Sequence, residues 1–152
     1  MEFIIFLKKI DLEIVELIRQ ANYSIEENTA LCLIDKRFVG FHKKKDKTIV
    51  ICTKNAKKIG NFKKGLLTNN NDNHKTKLYL RRALRHEATH MAQSCNNGKT
   101  IGIIKNKSLN KAKKMALNSS LNISGKTEKE IEAYVMEDRP KQVKKAIIKY
   151  CL

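Results

Sequence analysis

The sequence predicts an α+β fold in which a small antiparallel sheet or hairpin packs on a long helix and a second ligand-bearing helix faces it. Two runs rich in β-branched and aromatic residues flank a lysine-rich turn and predict the hairpin within about 30–52. Apolar residues at helical spacing predict the long helix over about 75–95, with Arg81, Arg82 and Arg85 mostly on its solvent-facing side. Thr127 and Glu130 have the spacing of a capping box, which predicts that the second helix occupies about 128–139.

The rest of the chain completes one domain over 1–152. Apolar residues recur at helical spacing within 3–20, and a basic amphipathic pattern predicts a terminal helix over 141–152. The segment 54–75 is polar and asparagine-rich, which predicts a loop. Two to three helical turns are expected within 109–121.

The chain is strongly basic, with 32 Lys and Arg residues against 15 Asp and Glu residues. Such a balance suits nucleic acid or an anionic surface as a partner. The lysines are scattered and few aromatic residues stand among them for base stacking, which favours ordinary solvated faces. Nucleic acid therefore stays open as a partner without specific support. No apolar run approaches the length needed to span a membrane.

The four cysteines are widely spaced and form no C-x-x-C pair, which disfavours a zinc ribbon. The N-terminus lacks the basic region and the small-residue cleavage site of a signal peptide. We therefore expect free thiols in a cytoplasmic protein. The cysteines are Cys32, Cys52, Cys95 and Cys151.

The long helix carries the pattern His86-Glu87-x-x-His90. Residues four apart lie about 40° apart around a helix, so both imidazoles can reach one metal ion. Glu87 lies about 100° from His86, where its carboxylate can act as a base without binding the metal. The pattern predicts a Zn²⁺ site with two histidine ligands and a catalytic glutamate.

The third ligand must be sought elsewhere, because no histidine follows His90 and no acidic residue lies between Met91 and Thr127. The remaining acids follow on the second helix. Glu132 projects from the apolar margin of that helix and is the preferred ligand, with Glu128 as the alternative. Glu130 projects from the opposite face and is assigned to the capping box. The full set of downstream acids is Glu128, Glu130, Glu132, Glu137 and Asp138.

Two segments, LRHEATHMAQSCNNG at 84–98 and EIEAYVMED at 130–138, resemble a family of small, uncharacterised gluzincin-like proteins of cyanobacteria. The resemblance covers about 37–140. It implies a minimal zincin-like fold in which the glutamate of a Glu-Ala step supplies the third zinc ligand. That glutamate corresponds to Glu132.

These observations predict a zinc metallopeptidase that hydrolyses peptide bonds through a metal-activated water. His86, His90 and Glu132 would bind the metal, and Glu87 would be the general base. His42 and Tyr134 are the candidates for stabilising the oxyanion. The alternative is a zinc-binding regulatory or interaction protein without proteolytic activity, open to association with nucleic acid.

Overall fold

The computed structural model describes residues 1–64, 73–102, 109–124 and 127–152. Within these ranges the chain forms α helices and a three-stranded sheet, which confirms the α+β class. None of the described helices is long and apolar enough to cross a lipid bilayer. The helices are α1 (Lys9–Gln20), α2 (Thr53–Ile59), α3 (His74–Cys95), α4 (Lys111–Ser124), α5 (Thr127–Met136) and α6 (Pro140–Cys151), and the strands are β1 (Ser24–Glu27), β2 (Gly40–Lys43) and β3 (Thr48–Ile51).

The sheet has the order β1-β3-β2. Strands β2 and β3 form the expected antiparallel hairpin, with Phe41 opposite Val50. Strand β1 was not expected, because its sequence Ser-Ile-Glu-Glu carries little β-branched character; it pairs parallel to β3. The sheet is therefore mixed, and β2 lies at its edge within the described part of the chain.

Helix α3 is the centre of the molecule and packs against α6, α5, α1 and the sheet. Its expected core face is buried, because Leu80, Leu84, Ala88 and Met91 have no exposed surface. Full burial of a leucine side chain contributes roughly 1.5–3 kcal/mol, so this face anchors the fold. The same helix carries the histidine pattern, which fixes that pattern rigidly against the core.

Two segments differ from the expectation. The N-terminal segment expected as one helix is a 3-10 turn, Glu2–Phe6, followed by α1, because Leu7 is extended between them. Part of the expected loop 54–75 is helix α2, whose buried Asn55 donates hydrogen bonds to the carbonyls of Cys32 and Phe38. The composition of this segment indicates only that it is polar. The hydrogen bonds of Asn55 to residues distant in sequence stabilise the helix and could not be predicted from composition. Residues 65–72 of the expected loop lie outside the described residues.

A buried ion pair lies beneath the site helix. Arg85, expected to face solvent, is 8% exposed and donates from Nε to the fully buried Asp11 at 2.7 Å. Its Nη1 also donates to the carbonyl of Glu137 at 2.8 Å. Arg85 thus connects α1, α3 and the end of α5, a role that helical periodicity cannot reveal because the partners are distant in sequence.

The expectation of free thiols is wrong: the cysteines form two disulfides, Cys32–Cys52 and Cys95–Cys151. The first joins the short 3-10 turn Ala30–Leu33 to the end of β3, and the second joins the ends of α3 and α6. Wide sequence spacing concealed both pairs, since only the packing of α6 along α3 brings the second pair together. The argument from reduced cysteines for a cytoplasmic location therefore no longer stands.

Candidate metal centre

Three side chains converge between α3 and α5. The Nε2 atoms of His86 and His90 lie 3.1 Å apart. Glu130 Oε1 lies 3.1 Å from His90 Nε2, and Glu130 Oε2 lies 3.3 Å from His86 Nε2. Among the described residues, these three are the group whose donor atoms are close enough to hold one metal ion.

The hydrogen bonds on the far side of each imidazole fix which nitrogen faces the centre. His86 Nδ1 lies 3.2 Å from a carboxylate oxygen of Glu137, and His90 Nδ1 lies 2.9 Å from the amide oxygen of Gln93. Both partners are acceptors, so both Nδ1 atoms carry hydrogen and both Nε2 atoms direct lone pairs inward. Two lone pairs and a carboxylate therefore face one point. Such an arrangement requires a cation there, either a proton or a metal ion.

The geometry does not place Glu132, the expected third ligand, beside the histidines. Glu130, rather than Glu132, contacts the two histidines. Glu132 is 1% exposed and accepts hydrogen bonds from Gln93 Nε2, Ile101 N and Gly102 N at 2.9, 2.8 and 3.1 Å. The alternative, Glu128, is exposed at the start of α5. Glu132 points away from the histidines because it lies about 160° from Glu130 around α5.

Glu132 nevertheless acts on the centre through Gln93. The side-chain amide of Gln93 donates to Glu132 and to the carbonyl of Lys129 at 3.0 Å. Both amide hydrogens are thereby engaged, and the amide oxygen is left to face His90 Nδ1. This chain of contacts orients the imidazole of His90, as outer partners of metal-binding histidines commonly do.

The electrostatics of the centre favour a cation. Glu87, Glu130 and Glu137 are each at least nine-tenths buried beside the two histidines. Burial lowers the pKa of His86, but the carboxylates of Glu130 and Glu137 outweigh burial and raise it to about 10. Burial raises the pKa of Glu130, but its contacts with the imidazoles of His86 and His90 outweigh burial and hold the pKa below its usual range. In the metal-free chain a proton on His86 therefore supplies the required positive charge.

Glu87 lies against strand β2, at Gly40. A methyl group built on Gly40 would lie 2.9 Å from Glu87 Cγ and 3.0 Å from Oε1. Glycine at this position therefore lets the carboxylate approach the strand. Burial raises the pKa of Glu87, although the two histidines oppose the shift. A carboxyl group with a raised pKa is better suited to accept a proton near neutral pH.

The two candidate oxyanion stabilisers both contact the histidine pair. The Tyr134 ring meets His86 edge to face, with centroids 4.5 Å apart. The His42 ring is stacked between Tyr23 and His90, with centroids 5.9 and 6.5 Å away. Its Nε2 is buried and has no hydrogen-bond partner within the described part of the chain. Burial, with smaller contributions from the charges of His90 and Lys44, lowers its pKa to about 4, so the ring is neutral at neutral pH.

A cleft of about 990 Å³ opens over the centre. Strand β2, α3, α4 and α5 form its walls, and His86, Glu87, His90 and Glu130 line its floor. Much of the remaining wall is apolar and includes Phe38, Phe41 and Met115 on either side. The centre is therefore reachable from solvent and lies beside the edge strand.

A family model matches residues 3–152, from the N-terminal 3-10 turn to the end of the chain. The chain belongs to this family, described as a domain of unknown function (DUF8637). The matched residues include α1 and α6, which pack on the site helix. No curated protein and no solved structure matches the chain.

The sequence held a signal for the site residues that were missed. Glu130, Tyr134 and Glu137 follow one another at spacings of four and three, which places them within about 60° on one face of a helix. Two acids and a tyrosine on one stripe suit a polar centre better than the apolar margin beside Glu132. For Gln93, its position one turn after His90 was the available signal.

Proposed function

We propose that this protein is a zinc-dependent peptidase with His86, His90 and Glu130 as metal ligands. The observation that supports it is the cluster of donor atoms: the two Nε2 atoms lie 3.1 Å apart, and the two carboxylate oxygens of Glu130 lie 3.1 Å from His90 Nε2 and 3.3 Å from His86 Nε2. Ligands about 2.0–2.1 Å from a tetrahedral zinc ion are about 3.3–3.4 Å from one another. The donors are therefore already close to the spacing that zinc requires.

The residues present also fit zinc by chemistry. Two neutral imidazoles and one carboxylate are the ligand set of several catalytic zinc sites, which leave one position open. Glu130 Oε2 is buried without a hydrogen bond of good geometry, as expected of a carboxylate whose natural partner is a cation. When bound, zinc would supply a Lewis acid that polarises a carbonyl group and acidifies a water molecule.

The protein's own groups would perform the remaining steps of hydrolysis. Glu87 would accept a proton from the attacking water and return it to the amine of the leaving product. Tyr134 and the neutral His42 line the cleft beside the histidines and would donate hydrogen bonds to the developing oxyanion. Glu137 and Gln93 would hold the imidazoles in the required tautomers.

Strand β2 offers the substrate a place to bind. The N–H of Cys52 donates to the carbonyl of Val39 at 2.8 Å, which continues the β2–β3 ladder by one residue. Because inward and outward backbone groups alternate in an antiparallel pair, Gly40 and His42 direct their N–H and C=O groups away from β3. An extended peptide could pair with these groups directly above Glu87.

Metal analysis and cleavage assays on matched variants test the proposal. The purified protein should hold close to one zinc per chain and should cleave members of a quenched fluorescent peptide library. Glu130→Ala should weaken zinc binding by more than about 100-fold, beyond the usual effect of outer partners. Glu128→Ala, an exposed change on the same helix, is the control and should leave both properties unchanged.

Glu87→Gln separates metal binding from catalysis. We expect it to retain zinc and to lose cleavage, because only the proton acceptor is removed. Stoichiometric zinc without cleavage of any peptide by the unaltered protein would favour a regulatory or interaction protein. A folded protein that binds no zinc at micromolar metal would refute the proposed ligand set.

A further inference from the structure

The turn that joins β2 to β3 places a group of lysines at one end of the cleft. Lys43 pairs with Asp46 at 2.8 Å. Lys44, Lys45 and Lys47 are exposed, and none of them forms an ion pair within the described part of the chain. Lys44, Lys45 and Lys47 are called the tip lysines below, and together they form a positive patch that no described acid neutralises.

One of the tip lysines faces the cleft itself. Side chains alternate along a strand, so Gly40 and His42 share one side of β2. Gly40 lies against Glu87 and His42 stacks on His90, which identifies this side as the one facing the site helix. Lys44 lines the same cleft, so the positive patch begins where the outward-facing backbone of β2 ends.

The acidic groups of the cleft floor do not neutralise this patch. The buried carboxylates of Glu130 and Glu137 are engaged with the two histidines. At the opposite wall, Asp138 is paired with Arg82 and Lys113. The remaining acid of the floor, Glu87, lies beside Gly40 at the other end of β2, and Asp46 of the turn is paired with Lys43. An anionic group entering beside the tip lysines would therefore meet mainly positive charge.

Distance along the strand sets where such a group would lie on a substrate. Gly40, beside Glu87, is three residues from Lys43, the last residue of β2, or about 10 Å in extended backbone, and Lys44 is the next residue in the turn. We infer that the protein prefers peptides with acidic residues about three to five positions from the cleaved bond, on the side that reaches the tip lysines. The part of this inference that concerns cleavage rests on the proposed function. The part that concerns peptide binding rests only on the pairing of a peptide with β2.

Peptide binding by the Glu87→Gln protein tests the preference without cleavage. The probes are three fluorescent peptides of about ten residues: one with three glutamates in its first half, one with them in its second half, and one with glutamines instead. We expect one acidic peptide to bind about fivefold more tightly than the neutral peptide, as two exposed charge pairs would give. The advantage should shrink in high salt.

A matched pair of charge variants locates the effect. Lys44→Gln with Lys45→Gln should remove the fivefold advantage. Lys141→Gln with Lys145→Gln, the same charge change on exposed positions of α6, should preserve it. Equal binding of all three peptides, or equal loss in both variants, would overturn the inference. Tight binding of an acidic peptide that the unaltered protein never cleaves would leave this preference standing and would refute the peptidase proposal instead.

Discussion

Glu132→Ala distinguishes a buried structural carboxylate from a metal ligand. The substitution removes the acceptor of the three hydrogen bonds described above and leaves one hydrogen of Gln93 Nε2 and the buried N–H of Ile101 unpaired. A buried donor left unpaired costs about 1–3 kcal/mol. We count two such donors, since Gly102 is exposed and its N–H can reach water. The expected loss is therefore about 4 kcal/mol of the free energy of unfolding.

Thermal unfolding of the metal-free protein is the assay. For a chain of this size about 1 kcal/mol corresponds to about 2–4 °C, so Tm should fall by roughly 8–16 °C. Zinc affinity, measured by competition with a fluorescent chelator, should fall by no more than about tenfold, because Glu132 reaches His90 only through Gln93. Loss of zinc binding with an unchanged Tm would refute this reasoning and would restore Glu132 as the ligand.

Three further predictions concern the strand, the buried ion pair and the metal. Gly40→Ala should lower kcat/KM at least tenfold with a small change in Tm, because the new methyl group displaces Glu87; unchanged activity in the peptide assay would contradict this contact. Asp11→Ala should lower the free energy of unfolding in urea by about 3–5 kcal/mol, because Arg85 would remain buried without the carboxylate of Asp11. A loss below about 1 kcal/mol would contradict the importance of this ion pair. Zinc at about 100 times its Kd should stabilise the native protein by about 2.7 kcal/mol, EDTA should reverse the gain, and an unshifted Tm in scanning calorimetry would speak against a site formed only on folding.

Local patterns in the sequence predicted the elements that carry the site. Alternation predicted the hairpin and helical spacing predicted the site helix, and the pattern at Thr127 predicted where α5 begins, because each of these signals acts over a few neighbouring residues. The pair His86 and His90 needs only one helical turn, so its convergence was also predictable. Glu87 was placed beside it by the same geometry.

What could not be predicted depends on how helices rotate against one another. Both Glu130 and Glu132 are buried, and only the packing of α5 on α3 decides which of them meets the histidines. The apolar residues beside Glu132 suggested that its face of α5 packs against α3. The centre is polar, however, and the polar face of α5 that carries Glu130 packs there instead. Arg85 was misplaced for a related reason, since its partner Asp11 lies in a helix far away in sequence.

The two disulfides bear on how the protein must be made and handled. They close segments with sequence separations of 20 and 56, and loops of these lengths correspond to roughly 3 and 4 kcal/mol of stabilisation in the chain-entropy model. A host with a reducing cytosol would yield a weaker fold, so production calls for an oxidising compartment. Dithiothreitol would both open the bridges and compete for zinc through its thiolates, whereas a phosphine reductant opens the bridges without offering sulfur to the metal. Comparing the two reagents would therefore separate the contribution of the cross-links from that of the metal in a single preparation.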